Sequence, residues 1–311
     1  EKSVFDERDV AKVLHRYVGD PAAFVVLMAR ILQSPDAIRL EREGIDFATG
    51  VRTPDRYTTR ELICIEADMA RRAISLAAAG TFGVNDEIRN AVLDRHAMLS
   101  DEQRVAIAHV TTAGRAAAVV GRAGAGKTTM MRAAREVWEA AGYHVVGGTL
   151  AGKAAEGLEQ EAGIASRTLA AGELAWNNGR STLDNRTVFV LDEAGMVASR
   201  QMATFVEAVS RAGAKLVLVG DAEQLQPIEA GAAFRALVDR IGYAELETIY
   251  RQKTQWMRDA SLDLARGRVR KALTAYHKHG HVKGAGLKAQ AVAALIDDWS
   301  HDYDPAKSNL I

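Results

Sequence analysis

A chain of 311 residues that is 48% apolar and 26% charged can bury a large core, which excludes a disordered or low-complexity protein. Lysine plus arginine equals aspartate plus glutamate at 40 each, so no global basic excess announces a nucleic-acid binder and any such site must be local. The single cysteine, Cys64, excludes a disulfide framework, and no apolar run approaches the roughly 18 residues of a membrane span, so a reducing cytoplasmic setting is expected.

The opening "EKSVFDERDV" is charged, lacks an initiator Met and an apolar signal core, and reads as a cut or processed end. Residues 1–98 read as mostly helical. "DERDVAKVLHRYV" and "DPAAFVVLMARIL" are two expected helices, the second with Pro21 in its first turn. In "TTRELICIEADMARRAISLAA", Leu62, Ile65, Met69, Ala73 and Leu76 recur at three and four residues, and Thr58 with Glu61 makes a capping box. Cys64 on this patterned helix reads as a core residue.

From residue 99 short apolar runs alternate with helical patterns: "AAAVVG" (116–121), "HVVGG" (144–148), "TVFVLD" (187–192) and "KLVLVGD" (215–221). Continuous apolar strands separated by helices predict an α/β fold with a parallel sheet covered on both faces. "IGYAELETIYRQ" (241–252) is another strand-like run. It is followed by helical "WMRDASLDLARG", "VRKALTAYHKHG" and "LKAQAVAALIDDWSHDY", expected as the opening of a second α/β unit that is incomplete at Ile311. The final "DPAKSNLI" reads as an interrupted strand, so the chain is expected to be part of a longer protein.

"GRAGAGKTT" (121–129) fits GxxxxGK[ST] between a predicted strand and a predicted helix. Gly121, Gly124, Ala125 and Gly126 would let backbone N–H groups close on phosphate oxygens. Lys127 would reach the outer phosphates, the Thr128 hydroxyl would ligate Mg²⁺, and Thr129 would continue the helix start that binds the nucleotide. The plain alternative is an ordinary glycine-rich strand-to-helix turn.

A phosphate loop needs a carboxylate at the end of a neighbouring strand, and "VFVLDEAGM" supplies one. Asp192 is placed for Mg²⁺ and Glu193 for polarising an attacking water; without the loop, the same pair reads as a strand end and helix cap. The third strand runs into "VGDAEQLQPIEAG". There Gln224 would lie near the γ-phosphate, where an amide donates to phosphate and accepts from water without adding charge. Gln226 reads equally as a loop residue before Pro227.

The ordered set "LSDEQRVAI", "GRAGAGKTT", "GGTLAGKAAEGL", "VFVLDEAGM", "VGDAEQLQPIEAGAAFR" and "LETIYRQ" resembles superfamily 1 helicases of the RecD-like branch. It is most similar to the helicase portion of conjugative-transfer relaxase/helicases of the Ti-type TraA family, over nearly the whole chain. The resemblance implies a helical N-terminal domain over 1–98, a RecA-like motor domain over 99–242, and the start of a truncated second RecA-like motor domain over 243–311. It implies ATP and Mg²⁺ as cofactors, with single-stranded DNA and other conjugative-transfer proteins as partners.

The same resemblance makes Gln103 an adenine-reading glutamine, although Ser100 and Gln103 also spell a capping box. It makes Arg251 an arginine that acts on the γ-phosphate from the second domain, the alternative being a surface arginine after a strand. Thr149, Gly152, Lys153, Ser166 and Thr168 match the segment that touches single-stranded DNA, through hydroxyls, backbone and a helix N-terminus. Trp176 reads as a packing anchor before a base-stacking platform, and "NNGRSTLDN" is too short to promise a strand-separating pin. His277, His279 and His281 alternate like metal ligands but read as an exposed turn. The family's later motifs have no match before Ile311, so the isolated chain is expected to bind nucleotide and unwind duplex poorly. A nucleotide-switched binding module and a P-loop ATPase with a non-DNA substrate stay open as rival readings.

Overall fold

The computed structural model describes residues 2–45, 50–180, 182–221, 233–248 and 254–302. The chain divides into two compact units, 1–251 and 252–311.

The first unit opens with α1 (Glu7–Leu14) and α2 (Pro21–Leu32), then β1 (Ala37–Glu41), β2 (Gly44–Ile45), β3 (Arg52–Thr53), β4 (Arg56–Thr59), α3 (Arg60–Ala78) and α4 (Asp86–Leu93). β1 pairs antiparallel with β4, and β2 with β3. Residues 1–98 are therefore not simply helical. These strands are two to five residues long and mostly exposed, too short to show a period-two pattern in sequence. The cap of α3 also falls one residue later than expected. Thr59 Oγ1 accepts from Leu62 N, while the Thr58 hydroxyl donates to the Ser3 carbonyl at 2.7 Å.

Then follow α5 (Asp101–Val110), β5 (Ala116–Gly121), α6 (Lys127–Ala140), β6 (His144–Thr149), α7 (Gly152–Ala162), β7 (Ala165–Thr168), α8 (Leu169–Asn177), β8 (Thr187–Leu191), α9 (Ser199–Ala212), β9 (Lys215–Gly220), α10 (Ala233–Ile241) and β10 (Ala244–Leu246). The six strands form one parallel sheet in the order β10-β5-β9-β8-β6-β7. This is the expected α/β architecture.

Strand residues feed two separate cores by strict alternation. Val119, Val188, Val190, Val217 and Val219 face one side, with Met130, Val137 and Trp138 of α6 and Ile107 of α5. Ala118, Phe189, Leu191, Leu216 and Leu218 face the other, with Met202, Phe205 and Val209 of α9. Because both faces are buried, the strand interiors are apolar at successive positions and the sequence reads as a continuous run.

Two boundaries differ from expectation. Met69, Ala73 and Leu76 of α3 belong to the second core, and Val92 and Leu93 of α4 to the first, so residues before 98 supply part of the covering layers. β10 pairs with β5, Leu246 opposite Gly121, so residues 244–246 extend this sheet and do not start the next unit. Cys64 is exposed: the buried stripe of α3 is Leu62, Met69, Ala73 and Leu76, and Cys64 lies off it.

The second unit contains α11 (Gln255–Ala265), α12 (Val269–Lys278) and α13 (Lys288–Asp302). Among the described residues no helix is long and apolar enough to cross a membrane.

Candidate nucleotide-binding site

The glycine-rich segment turns from the end of β5 into α6, at the carboxyl edge of the sheet where ligands of open α/β folds bind. Gly124 and Gly126 have φ of +82° and +77°, a region L side chains rarely adopt. Gly126 is the N-cap of α6 and no side chain caps it, so the first amides of the helix lack side-chain acceptors at the positive end of its dipole. Lys127 begins the helix, and its Nζ donates to the carbonyls of Gly121 at 2.5 Å and Arg122 at 3.0 Å. A Cβ on Gly121 would lie 3.1 Å from Leu246 Cβ and 3.3 Å from Lys127 Cγ, so glycine here admits both β10 and the lysine stem. Ala125 is buried, Thr128 half-buried and Thr129 exposed, the threonines in the first turn of α6.

β8 ends two strands away, with β9 between. Asp192 N–H donates to the Gly148 carbonyl at 3.0 Å, and the Asp192 carboxylate accepts from Glu193 N–H at 2.9 Å. Burial pushes the Asp192 carboxyl above its usual range, against the lowering effect of the Glu193 N–H and the Lys127 ammonium; the Glu193 charge adds to the rise. Lys127 is thus near enough to Asp192 to act on it electrostatically, which brings the glycine-rich loop and the acidic pair to one region of the sheet edge. Glu193 has φ +56°, the sole non-glycine residue with positive φ among the described residues. Such a conformation costs on the order of 1 kcal/mol or more and persists where its surroundings impose it.

Sequence reasoning passed over what imposes it. Gly195 lies so close to the exit of β9 that a Cβ would sit 2.6 Å from the Asp221 carbonyl oxygen, and a Cβ on Gly220 would meet Gly195 N at 2.9 Å. These glycines let the backbones after β8 and β9 touch. The signal was present in "DEAGM" and "LVGD", the first with a glycine two residues after an acid and the second with a glycine directly before one.

Gln103 forms the expected capping box with Ser100 and is buried. Its Nε2 also donates to the Gly126 carbonyl at 3.1 Å, so this side chain fastens the start of α5 to the phosphate loop. The neighbouring Glu102 makes a tie that no sequence motif announced. Its carboxylate accepts from the N–H groups of Glu247 and Thr248, each at 3.1 Å, and from the Thr248 hydroxyl at 2.8 Å. Gln224, Gln226 and Arg251 lie outside the described residues.

Of the residues matched to a DNA contact, three gather at the carboxyl ends of β6 and β7, whose last residues Thr149 and Thr168 are register partners. Gly152 and Lys153 open α7 and are exposed, and Thr168 is the N-cap of α8, accepting from Ala171 N–H at 3.3 Å. Thr149 does not join them at the surface. It is fully buried and its hydroxyl donates to the Ala151 carbonyl at 2.9 Å. Ser166 lies two residues back along β7, its hydroxyl on the Ile164 carbonyl at 2.6 Å. Trp176 packs edge-on against Phe189 and Phe205, with centroids 5.5 and 5.2 Å away, as an anchor of the second core. In the second unit, His279 stacks on Trp256 at 4.0 Å, with His281 and Tyr276 beside it.

The AAA-domain family matches residues 98–287. Along its full length the chain is 69% identical to the "Probable conjugal transfer protein TraA" of Sinorhizobium fredii and 65% identical to the "Conjugal transfer protein TraA" of Agrobacterium fabrum. It spans 28% of the length of each of these relatives. Over 158 residues, half of this chain and 22% of the relative, it is 29% identical to the "ATP-dependent RecD2 DNA helicase" of Deinococcus radiodurans.

Proposed function

We propose that this chain, which belongs to the AAA-domain family, is the ATP-hydrolysing core of a conjugative DNA-transfer protein and couples hydrolysis to movement along single-stranded DNA. The observation that carries the reading is the arrangement of three groups at one sheet edge. Lys127 opens α6 after a loop of left-handed glycines, and Asp192 and Glu193 leave β8, with Glu193 held in a strained conformation.

The donor set fits a small hard cation: a first-turn hydroxyl, Thr128, and a buried carboxylate, Asp192, both oxygen ligands. Bound there, Mg²⁺ would neutralise charge developing on the β- and γ-phosphates. The chain's own residues do the rest. The amides from Gly124 to Thr129 and the α6 dipole hold the phosphates, and Lys127 turns from the loop carbonyls onto the outer phosphate oxygens. Glu193, fixed by its backbone, accepts a proton from the attacking water. Gln103 would read adenine only by giving up its hold on Ser100 or Gly126. Gln224 and Arg251 are proposed as the γ-phosphate sensor and the arginine that acts on the γ-phosphate.

For the single strand we propose a path over Gly152, Lys153 and Thr168, where exposed backbone, an ammonium and a helix start meet phosphates without reading bases. Ser166 would join it only by releasing its bond to Ile164, and Thr149 supports the turn from beneath. A cytoplasmic setting and contacts with other conjugative-transfer proteins complete the reading.

The test is steady-state ATP hydrolysis with and without single-stranded DNA, beside Glu193→Gln. The proposal expects DNA-stimulated hydrolysis that disappears in the variant while nucleotide still binds, and weak duplex unwinding by the isolated 311 residues. A rate indifferent to the substitution would overturn it.

A further inference from the structure

The chain as a whole carries no net charge, yet between Leu264 and Ile296 it holds seven lysines and arginines, three histidines and no aspartate or glutamate. The positive charge concentrates where α11 turns into α12. Arg266 and Arg268 flank Gly267, whose φ of +72° makes the turn, and Arg270 and Lys271 follow in the first turn of α12.

Two of these side chains have internal work. Arg268 and Lys271 grip the buried Asp263 carboxylate, at 2.6 and 3.1 Å, and hold it below its usual range, through the hydrogen bond from Arg268 above all. Arg266 and Arg270 are exposed, and neither side chain has a hydrogen-bond or ion-pair partner among the described residues. Helix stability does not explain Arg270. A cation in the first turn opposes the helix dipole, and no side chain caps α12.

Along α12 the polar residues share one face. Arg270, Thr274, His277 and Lys278 recur at three and four residues and are exposed, with Lys271 beside them, whereas Ala272 on the opposite face is fully buried. Arg270, His277 and Lys278 are thus exposed along one side of the helix, next to the paired Lys271. Trp256, half-buried under His279, and Tyr276 lie in the same unit and bring aromatic rings into the cationic region.

We infer that the α11–α12 turn and the polar face of α12 form a second surface for the phosphate backbone of single-stranded DNA, which binds without nucleotide. Guanidinium groups present paired donors that match phosphate oxygens, and arginine leads at the turn. Such a surface adds affinity without reading sequence, and it would keep the strand attached while the nucleotide site is empty. The inference is independent of ATP hydrolysis.

The experiment measures fluorescence anisotropy of a labelled oligothymidylate with the full chain over a range of salt. The Arg266→Gln/Arg270→Gln variant is compared with Arg16→Gln/Arg30→Gln, which removes equal charge from exposed positions of the first unit. The patch variant should weaken binding about tenfold and shrink the log–log salt slope by about 1.4, the value for two lost phosphate contacts on a single strand. The control should change neither by a comparable amount, and the same loss should appear in a Lys127→Ala background, whatever that background does to ATP hydrolysis. Equal losses in patch and control variants, or a loss seen only with nucleotide bound, would overturn the inference. So would vesicles of anionic phospholipid that lose binding to the patch variant while oligothymidylate does not. Unchanged circular-dichroism melting checks that both arginines are dispensable for folding.

Discussion

Gln103 and Gly126 are joined by a hydrogen bond of 3.1 Å from a helix-capping amide to the carbonyl that precedes the phosphate-loop lysine. One buried side chain thereby closes the capping box of α5 and fixes the loop backbone 23 residues away. The position of the loop is coupled to the start of α5.

Gln103→Glu keeps an acceptor for the Ser100 N–H but cannot donate to Gly126, and it sets a carboxylate beside the carbonyl. Nucleotide affinity should fall about tenfold with this variant, an amount near the full value of one buried hydrogen bond. Gln103→Ala should lose a similar amount and also about 1 kcal/mol of stability with the cap. Titration with a fluorescent ATP analogue and thermal melts separate the two effects.

Glu193→Gly should abolish hydrolysis and yet stabilise the fold by about 1 kcal/mol, because it relieves a left-handed glutamate. Glu193→Gln should abolish hydrolysis with no such gain. Denaturant unfolding of the two variants shows whether the strain belongs to this backbone position.

Gly195→Ala should destabilise the protein by about 1–3 kcal/mol, since its Cβ would press on the Asp221 carbonyl oxygen, a backbone atom with little room to move. The ends of β8 and β9 would move apart, and hydrolysis should fall more than nucleotide binding does. Parallel measurement of the two is the check.

Lys215 is fully buried at the start of β9, with Nζ donating to the Thr112 carbonyl at 2.7 Å, and burial lowers its pKa from 10.5 to about 7. The nearby His109 is lowered too, by burial first and by the Lys215 charge second. The unfolded chain binds more protons than the folded one between pH 7 and 10.5, so the Lys215 contribution to stability rises with pH across that window. Below pH 7 both states carry the proton and the full cost of the buried charge remains; His109 adds a rise of the same sign below its ordinary 6.5. Lys215→Met should raise stability at neutral pH by on the order of 1–3 kcal/mol and flatten its increase toward pH 10. Urea unfolding at several pH values tests both.

The long strands were legible because each is apolar along most of its length, as two buried faces require, and the glycine-rich loop because its glycines sit between such a strand and a helix. Asp192 and Glu193 followed from their place at a strand end. β10 was not legible as a member of this sheet: three residues carry no period, and only pairing with Gly121 places them. Thr149 and Cys64 went wrong for complementary reasons. A hydroxyl at a strand end looks available until its burial and its bond to a neighbouring carbonyl are seen, and a cysteine on an amphipathic helix looks buried until the helix phase is known.

The sequence by itself determined the α/β class, the order of the strands along the chain, and the places of the glycine-rich loop and of Asp192 and Glu193 at strand ends, because local patterns and short spacings encode all of these. Only the tertiary structure decided the left-handed Glu193, the contact of Gly195 with Asp221, and the ties of Gln103 to Gly126 and Glu102 to Thr248. Each joins groups that lie apart in sequence or answers to a backbone that packs against a distant one. Their energies exist only once the sheet has brought those strand ends together.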